Sequence, residues 1–304
     1  MNNNPHEIFD LQTASPEQLR ALQLKSLEIL IYFRDFCKKH NLNFSLCGGT
    51  CIGAVRHKGF IPWDDDIDVF MLRDDYERLE DLWEKHSDTK KYSICRTTKE
   101  KNYHQIVIAI KDNDTTFINS HSKDEDIVHG VGIDVLPLDG YPDSKLQRIN
   151  QVIHAMIFSL FNAQRLPDNQ GEMARWISKL ILAIVPSQKI RYKLWTHSEK
   201  QMKKYKIKDT DYIAQLVSGF KFMKFKYPKE IFETTIDKEF EGYQMPVPAG
   251  YDAYLKMGFG NYMEFPPEED QVAKHNTVYI NLKESYKRYK GIYYCTDWKE
   301  TKNE

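Results

Sequence analysis

Residues 46–79 read LCGGTCIGAVRHKGFIPWDDDIDVFMLRDDYERL, and the rest of the chain is best understood outward from them. Four carboxylates, Asp64, Asp65, Asp66 and Asp68, fall within five positions and run straight into an apolar stretch. At an effective dielectric of about 20 and a spacing of ~5 Å, each such pair repels by roughly 3 kcal/mol. Aspartate is also a poor strand former, so local propensity does not account for the cluster. Side chains alternate along a strand, which sets Asp66, Asp68 and Phe70 on one face and Ile67, Val69 and Met71 on the other. The two aspartates then stand about 6.6 Å apart at Cα. They can converge on one divalent cation or on a close pair of them. Hard oxygen donors of this kind suit Mg²⁺ or Mn²⁺, and a cation would offset the repulsion.

Upstream, Phe44–Cys47 reads as a short strand, Gly48–Gly49 as a break, and Thr50–His57 as a short helix. Backbone N–H groups at such a strand-to-helix turn approach a phosphate closely, helped by the helix dipole. Gly48, Gly49 and Thr50 are therefore candidate phosphate contacts, and Arg56, His57 and Lys58 form a compact donor cluster behind them. An alternative is that the glycines only turn the chain and the three cations are surface charges. Downstream, Asp74 and Glu77 open a helix through Leu79 and Leu82. Strands follow at Tyr92–Cys95, Gln105–Lys111, Thr115–Asn119 and Ile133–Leu136. Asp134 is a lone charge inside the apolar run Gly-Ile-Asp-Val-Leu, and a charge there needs a partner. If its strand lies beside that of Asp66 and Asp68, a three-carboxylate site is complete. Asp64 and Asp65 are less determined, since either can simply cap the loop.

The N-terminal helix announces itself. Ser15-Pro16-Glu17-Gln18 is a capping-box pattern with Pro at the first helical position. A stripe from Leu19 to Cys37 has helical spacing, and Asn41 suits a left-handed end. Residues 1–142 thus read as a mixed α/β core. Residues 143–304 read as mainly helical and closely packed on it, with helices at Lys145–Arg165, Trp176–Val185 and Lys189–Lys206. The Trp176–Val185 segment reads as a buried core helix, although Arg175, Lys179, Lys189 and Arg191 around it would also suit a membrane surface.

Composition removes several classes. With 304 residues and a formal net charge of −1, no global field draws the chain to nucleic acid or anionic lipid. Five cysteines without C-x-x-C spacing give neither a disulfide framework nor a zinc site. MNNNPHEIFD has no basic region followed by an apolar run, and no stretch reaches the ~18–20 apolar residues of a membrane span. The expected location is a reducing cytoplasm.

The order strand, Gly-Gly, short helix, D-h-D-h strand and later carboxylate strand is that of the nucleotidyltransferase superfamily. Residues 46–79 closely resemble the LicD family. GVGIDVLPLDG (130–140) and PVPAGYDAYLKMGFGNYMEFPPEE (246–269) are similar to its second and C-terminal blocks. The family's basic pair and two histidines after PPEE are here Asp270-Gln271, followed by Lys274-His275. The resemblance implies an α+β nucleotidyltransferase-like mixed sheet flanked by helices, with Asp66, Asp68 and Asp134 around Mg²⁺ (or Mn²⁺). It implies a CDP-linked donor such as CDP-choline, whose distal phosphorus is attacked by a hydroxyl of a glycan or lipid-linked glycan so that CMP leaves. Asp134, Asp64 or Asp65 would take the hydroxyl proton, and Lys274 and His275 are further phosphate candidates. Ribitol-phosphate or glycerol-phosphate transfer, nucleotidyl transfer from a triphosphate, and a non-catalytic nucleotide or glycan sensor are the alternatives.

Overall fold

The structure is a computed structural model that describes residues 4–165 and 172–296. Contacts divide the chain into two compact units. Residues up to 95, 108–136 and from 230 onward form the first; 96–107 and 137–229 form the second.

The first unit opens with strand β1 (Glu7–Ile8) and helix α1 (Pro16–His40). The expected capping box is made in full: Ser15 Oγ accepts from Gln18 N–H, and the Gln18 side chain accepts from Ser15 N–H. Asn41 closes the helix at φ 51°, and its N–H donates to Cys37 O. The helix buries Leu22, Leu27, Ile29, Leu30 and Phe33. There follow β2 (Ser45–Leu46), α2 (Gly48–Arg56), β3 (Asp68–Leu72), α3 (Arg73–His86), β4 (Tyr92–Cys95), β5 (Ile108–Asp112), β6 (Thr116–Asn119) and β7 (Gly132–Gly140). β5 begins three residues later than the apolar pattern suggests; its pairing with β7 starts at Ile108, and Gln105 O accepts from the Thr97 hydroxyl at 3.3 Å.

The central sheet runs β2-β3-β7-β5-β4. β2 pairs antiparallel with β3, β7 with β5, and β5 with β4. β3 and β7 are neighbours, and Asp134 N–H donates to Ile67 O at 2.9 Å just before β3 begins. Ile67, Val69, Ile133 and Val135 are all buried, so one face of this strand pair is core. That register leaves Asp66, Asp68 and Asp134 half-buried on the other face.

The second unit holds the end of β7, then α4 (Lys145–Ala163), α5 (Glu172–Ile184), α6 (Gln188–Met202), β8 (Tyr212–Gln215), α7 (Phe220–Met223) and β9 (Tyr227–Pro228). Here Leu138–Gly140 pairs antiparallel with β8, and β8 with β9. Buried Gln151 on α4 donates to Gly140 O and Met202 O, tying α4 to the strand and to α6. One expectation is corrected. The Trp176–Val185 helix is not a core helix: Trp176, Ile177, Leu180, Ile181 and Ile184 are all exposed. Its periodicity marks an apolar stripe, but a stripe does not say what covers it.

The chain then returns to the first unit with α8 (Glu230–Glu233), the antiparallel hairpin β10 (Thr235–Phe240) and β11 (Tyr243–Pro248), α9 (Tyr251–Phe259) and β12 (Thr277–Asn281). β12 lies between β1 and β6, antiparallel to both. Residues 143–304 are therefore helical as far as Met202 and carry short strands beyond it. The last of them belong with residues 1–95 rather than with the helices. Phe232 of α8 and Tyr254 of α9 meet Phe70 of β3 edge-on at 5.8 and 5.6 Å between ring centroids, covering that strand next to the aspartates.

Candidate active site

The site lies wholly in the first unit and starts at the turn into α2. Gly48 has φ +54°, the left-handed region that favours glycine, and its N–H donates to the Tyr254 hydroxyl at 3.0 Å. Gly49 is required for a different reason. A Cβ there would stand 2.5 Å from Asp64 Oδ2, so the carboxylate occupies the space that a side chain would need. Thr50 is buried, and its hydroxyl accepts the N–H of Asp68 at 2.9 Å, which fixes the start of β3 against α2. Among the described residues no hydrogen bond engages the N–H of Gly49 or Thr50. Both belong to the first turn of a helix, where such groups and the dipole favour an anion.

Asp64, Asp65 and Asp66 offer oxygens within 4.8 Å of one another, a spacing that could hold a metal ion. Their roles nevertheless differ. Asp65 is buried, and its carboxylate accepts from Lys274 N–H (3.2 Å), His275 N–H (3.3 Å) and His275 Nδ1 (3.0 Å). Burial alone would push its pKa up, but the hydrogen bonds and charge of His275 hold it below the ordinary value. Asp65 is thus committed to pinning the 274–275 loop. In His275, burial alone would favour the neutral ring. The Asp65 hydrogen bond and the charges of Asp66 and Asp134 outweigh it and raise the pKa to about 10, so the ring is cationic.

In Asp64, Asp66 and Asp68 burial and mutual repulsion outweigh the opposing charge of His275. Asp64 is pushed up to about 8 by burial and by the charges of Asp66 and Asp65. Asp66 is pushed up to about 6 by burial and by Asp65 and Asp134, with His275 opposing. Asp68 is raised well above the usual range by burial, Asp66, Asp134 and Asp64. Asp134 therefore acts electrostatically on Asp66, Asp68 and His275, as its place on the neighbouring strand requires. Carboxylates in this state take up protons unless a cation replaces them. An all-oxygen anionic donor set fits Mg²⁺ or Mn²⁺ and does not fit a soft metal. The oxygens of Asp64 and Asp66, with those of Asp65, are the ones close enough together to hold it; Asp68 and Asp134, expected from the sequence as ligands beside Asp66, stand outside that group and act on it through charge. Cys47, beside them, is buried, and burial with the Asp68 charge raises its thiol well above the usual range, so it is no nucleophile.

The other cations named from the sequence are occupied nearby. Arg56 Nη1 donates to Tyr262 O and Glu264 O, both at 2.8 Å, and its guanidinium lies 4.7 Å from the Phe265 ring centroid. His57 stacks on the same ring at 5.5 Å, and burial with the Arg56 charge lowers its pKa. Arg56 and His57 thus build the 262–265 loop. Lys58 is exposed and approaches Glu239 at 3.8 Å. Lys274 is exposed, and its Nζ donates to Asp270 O at 3.2 Å.

Three positioning residues escaped the sequence reading. Buried Gln23 of α1 donates to Ile61 O (3.2 Å) and Asp64 O (2.9 Å), fixing the loop that carries the aspartates. Glu241, at the tip of the β10–β11 hairpin, accepts from Phe60 N–H at 3.0 Å and from a two-pronged Arg20 at 2.9 and 2.5 Å. Tyr254 is the third. Its partner lies 206 residues away in the chain, so only the C-terminal motif that contains it gave any signal.

With this geometry in hand, the likenesses to known proteins become informative. The model described as "LicD/FKTN/FKRP, nucleotidyltransferase domain" matches residues 41–142, which carry Gly48 through Asp134. The lipopolysaccharide cholinephosphotransferase LicD of Haemophilus influenzae is 35% identical over 273 residues, covering 84% of this chain and 96% of that protein. An uncharacterised protein of Rickettsia prowazekii is 29% identical over 111 residues, 30% of this chain and 42% of that one.

Proposed function

The chain belongs to the LicD family, and from that premise we propose that it transfers phosphocholine from CDP-choline to a hydroxyl of a cell-surface glycan or its lipid-linked precursor, releasing CMP. The observation that carries this reading is the Asp64–Asp66 cluster just before β3, with Asp68 on β3 and Asp134 on the adjacent β7, beside the unengaged N–H groups of Gly49 and Thr50. The H. influenzae relative is named as a cholinephosphotransferase acting on lipopolysaccharide, which supports the phospho-alcohol and the acceptor class.

The proposed division of labour follows from charge. Gly49 and Thr50 N–H groups bind donor phosphate oxygens at the positive end of α2, and cationic His275 adds positive potential from the opposite loop. Mg²⁺ or Mn²⁺, when bound at the Asp64–Asp66 cluster, supplies neutralisation of the diphosphate and of the charge that develops on the leaving group. The acceptor oxygen forms a bond to the phosphorus distal to cytidine. The bond from that phosphorus to the bridging oxygen breaks, CMP departs, and a carboxylate of the cluster takes the hydroxyl proton. Asp65, which the resemblance left as a candidate base, is held by three hydrogen bonds and serves instead to position His275.

The test incubates the purified chain with Mg²⁺, a glycan acceptor and, in separate reactions, CDP-choline, CDP-ribitol, CDP-glycerol and CTP. The proposal expects CMP release and phosphocholine on the glycan from CDP-choline, both lost in Asp68→Asn. Preference for another CDP-alcohol would overturn the head group. Pyrophosphate from CTP, with no CMP from any CDP donor, would overturn the reaction class.

A further inference from the structure

Helix α5 has an organisation that the reaction does not use. Met173, Trp176, Ile177, Leu180, Ile181 and Ile184 recur at helical spacing and form one continuous apolar stripe. All six are exposed, Met173 at 78%, Trp176 at 65% and Ile184 at 69%. Arg175 and Lys179 fall on the opposite side of the helical wheel. What fixes the helix is its C-terminal end. Arg191 Nη2 donates to Leu182 O and its Nε to Val185 O, both at 2.7 Å, while Nη1 reaches Gln164 at 2.8 Å. The stripe takes no part in this anchorage.

Charge indicates the occupant. Residues 172–206 carry nine Lys or Arg against two Glu, a net of +7 in a chain whose overall charge is −1. An apolar stripe with an aromatic residue, a cationic opposite face and a basic following segment matches the requirements of the bilayer interface, where apolar side chains enter the acyl boundary and cations meet anionic headgroups. A second copy of the chain would bring the same +7 against itself. At thirteen residues α5 is too short to span, and among the described residues no helix is long and apolar enough to cross a membrane.

We propose that α5 is an interfacial anchor: its Met173–Ile184 stripe lies in the headgroup region of an anionic phospholipid bilayer, with the exposed Arg175, Lys179, Lys189 and Lys193 neutralising the lipid charge. This does not depend on the identity of the donor, and it is read without any transfer reaction.

The test is co-sedimentation of the full chain with vesicles of phosphatidylcholine containing phosphatidylglycerol, and with vesicles of phosphatidylcholine alone. The expected result is binding to the anionic vesicles that weakens at high salt, with a blue shift of tryptophan emission that Trp176→Phe removes. The double variant Trp176→Glu/Ile181→Glu, whose sites are exposed, should keep the wild-type melting temperature and lose at least about tenfold in vesicle partition. Absence of binding to anionic vesicles overturns the proposal, as does equal binding to both vesicle types. Sedimentation velocity gives the third outcome: a wild-type dimer that the double variant disperses, with no vesicle binding, would assign the stripe to a second copy and also overturn it.

Discussion

Asp66→Asn is predicted to make the metal-free protein more stable, not less. The Asp66 carboxyl is pushed up to about 6 from an ordinary value of 3.8, burial being the largest cause. Its folded form therefore binds a proton that the unfolded chain has released between pH ~4 and ~6, so stability falls as pH rises through that window. A difference of about two pKa units corresponds to roughly 3 kcal/mol, an upper figure because solvent still reaches this half-buried carboxylate. Unfolding entropy of ~2.1 cal/mol/K per residue, over the 304-residue chain, converts this to a rise in Tm of about 5 °C for the amide. The assay is thermal unfolding of both proteins in chelator at pH 4.5 and pH 8. At pH 8 Asp66→Asn should melt higher by up to that amount, and at pH 4.5, still above the unfolded value of 3.8, its advantage should shrink to about a third. Saturating Mg²⁺ or Mn²⁺ should then reverse the order at pH 8, since a ligand that binds only the folded form stabilises it and the amide has lost a donor. An Asn variant that melts below wild type at pH 8 in chelator, or whose advantage is the same at both pH values, would refute the electrostatic reasoning.

Four further outcomes follow from the same geometry. Metal affinity should rise with pH between about 6 and 8, because Asp66 (about 6) and Asp64 (about 8) must lose protons to bind; calorimetry in buffers of different ionisation enthalpy should show proton release. Gly49→Ala should lower CMP release by at least about tenfold with little change in Tm, because the new Cβ displaces Asp64 Oδ2 from 2.5 Å; equal activity would mean the carboxylate has room to move. Asp65→Asn should lower the His275 pKa from about 10 toward its ordinary value, followed by NMR titration, since it removes the ring's main charge partner. Gln23→Ala should cost about 1–3 kcal/mol in chemical denaturation, because Asp64 O loses its Gln23 donor while Ile61 O keeps only the Asp64 N–H at 2.9 Å.

The elements that the sequence made legible are those whose signals are local. The Ser15–Gln18 capping box, the Asn41 terminator and the alternation through Ile67 and Val69 each act within a few residues, and the structure contains all three. Asp134 was legible for a related reason: a charge inside an apolar strand is costly alone, and the neighbouring strand supplies its setting. What was not legible depends on contacts between distant segments. Asp65 and His275 are 210 residues apart, so nothing in DDDID distinguishes the aspartate that pins a loop from its neighbours. Arg56 and His57 looked like phosphate donors because their spacing is compact, whereas Phe265 and the carbonyls of Tyr262 and Glu264 occupy them. The return of β10–β12 to the first unit is likewise set by pairings such as β12 with β6, across more than 150 residues. Helix α5 shows the limit most simply. Hydrophobic periodicity identifies a face, and only the surrounding structure tells whether protein covers it.

The most direct measurement of the central claim is Mn²⁺ binding to the full chain, followed by electron paramagnetic resonance, for wild type, Asp68→Asn and Asp134→Asn at pH 8. The account predicts a stoichiometric site in the wild type that both substitutions weaken, although they lie on different strands. Retention of wild-type affinity in both variants would mean that the aspartates of β3 and β7 do not act on the cation.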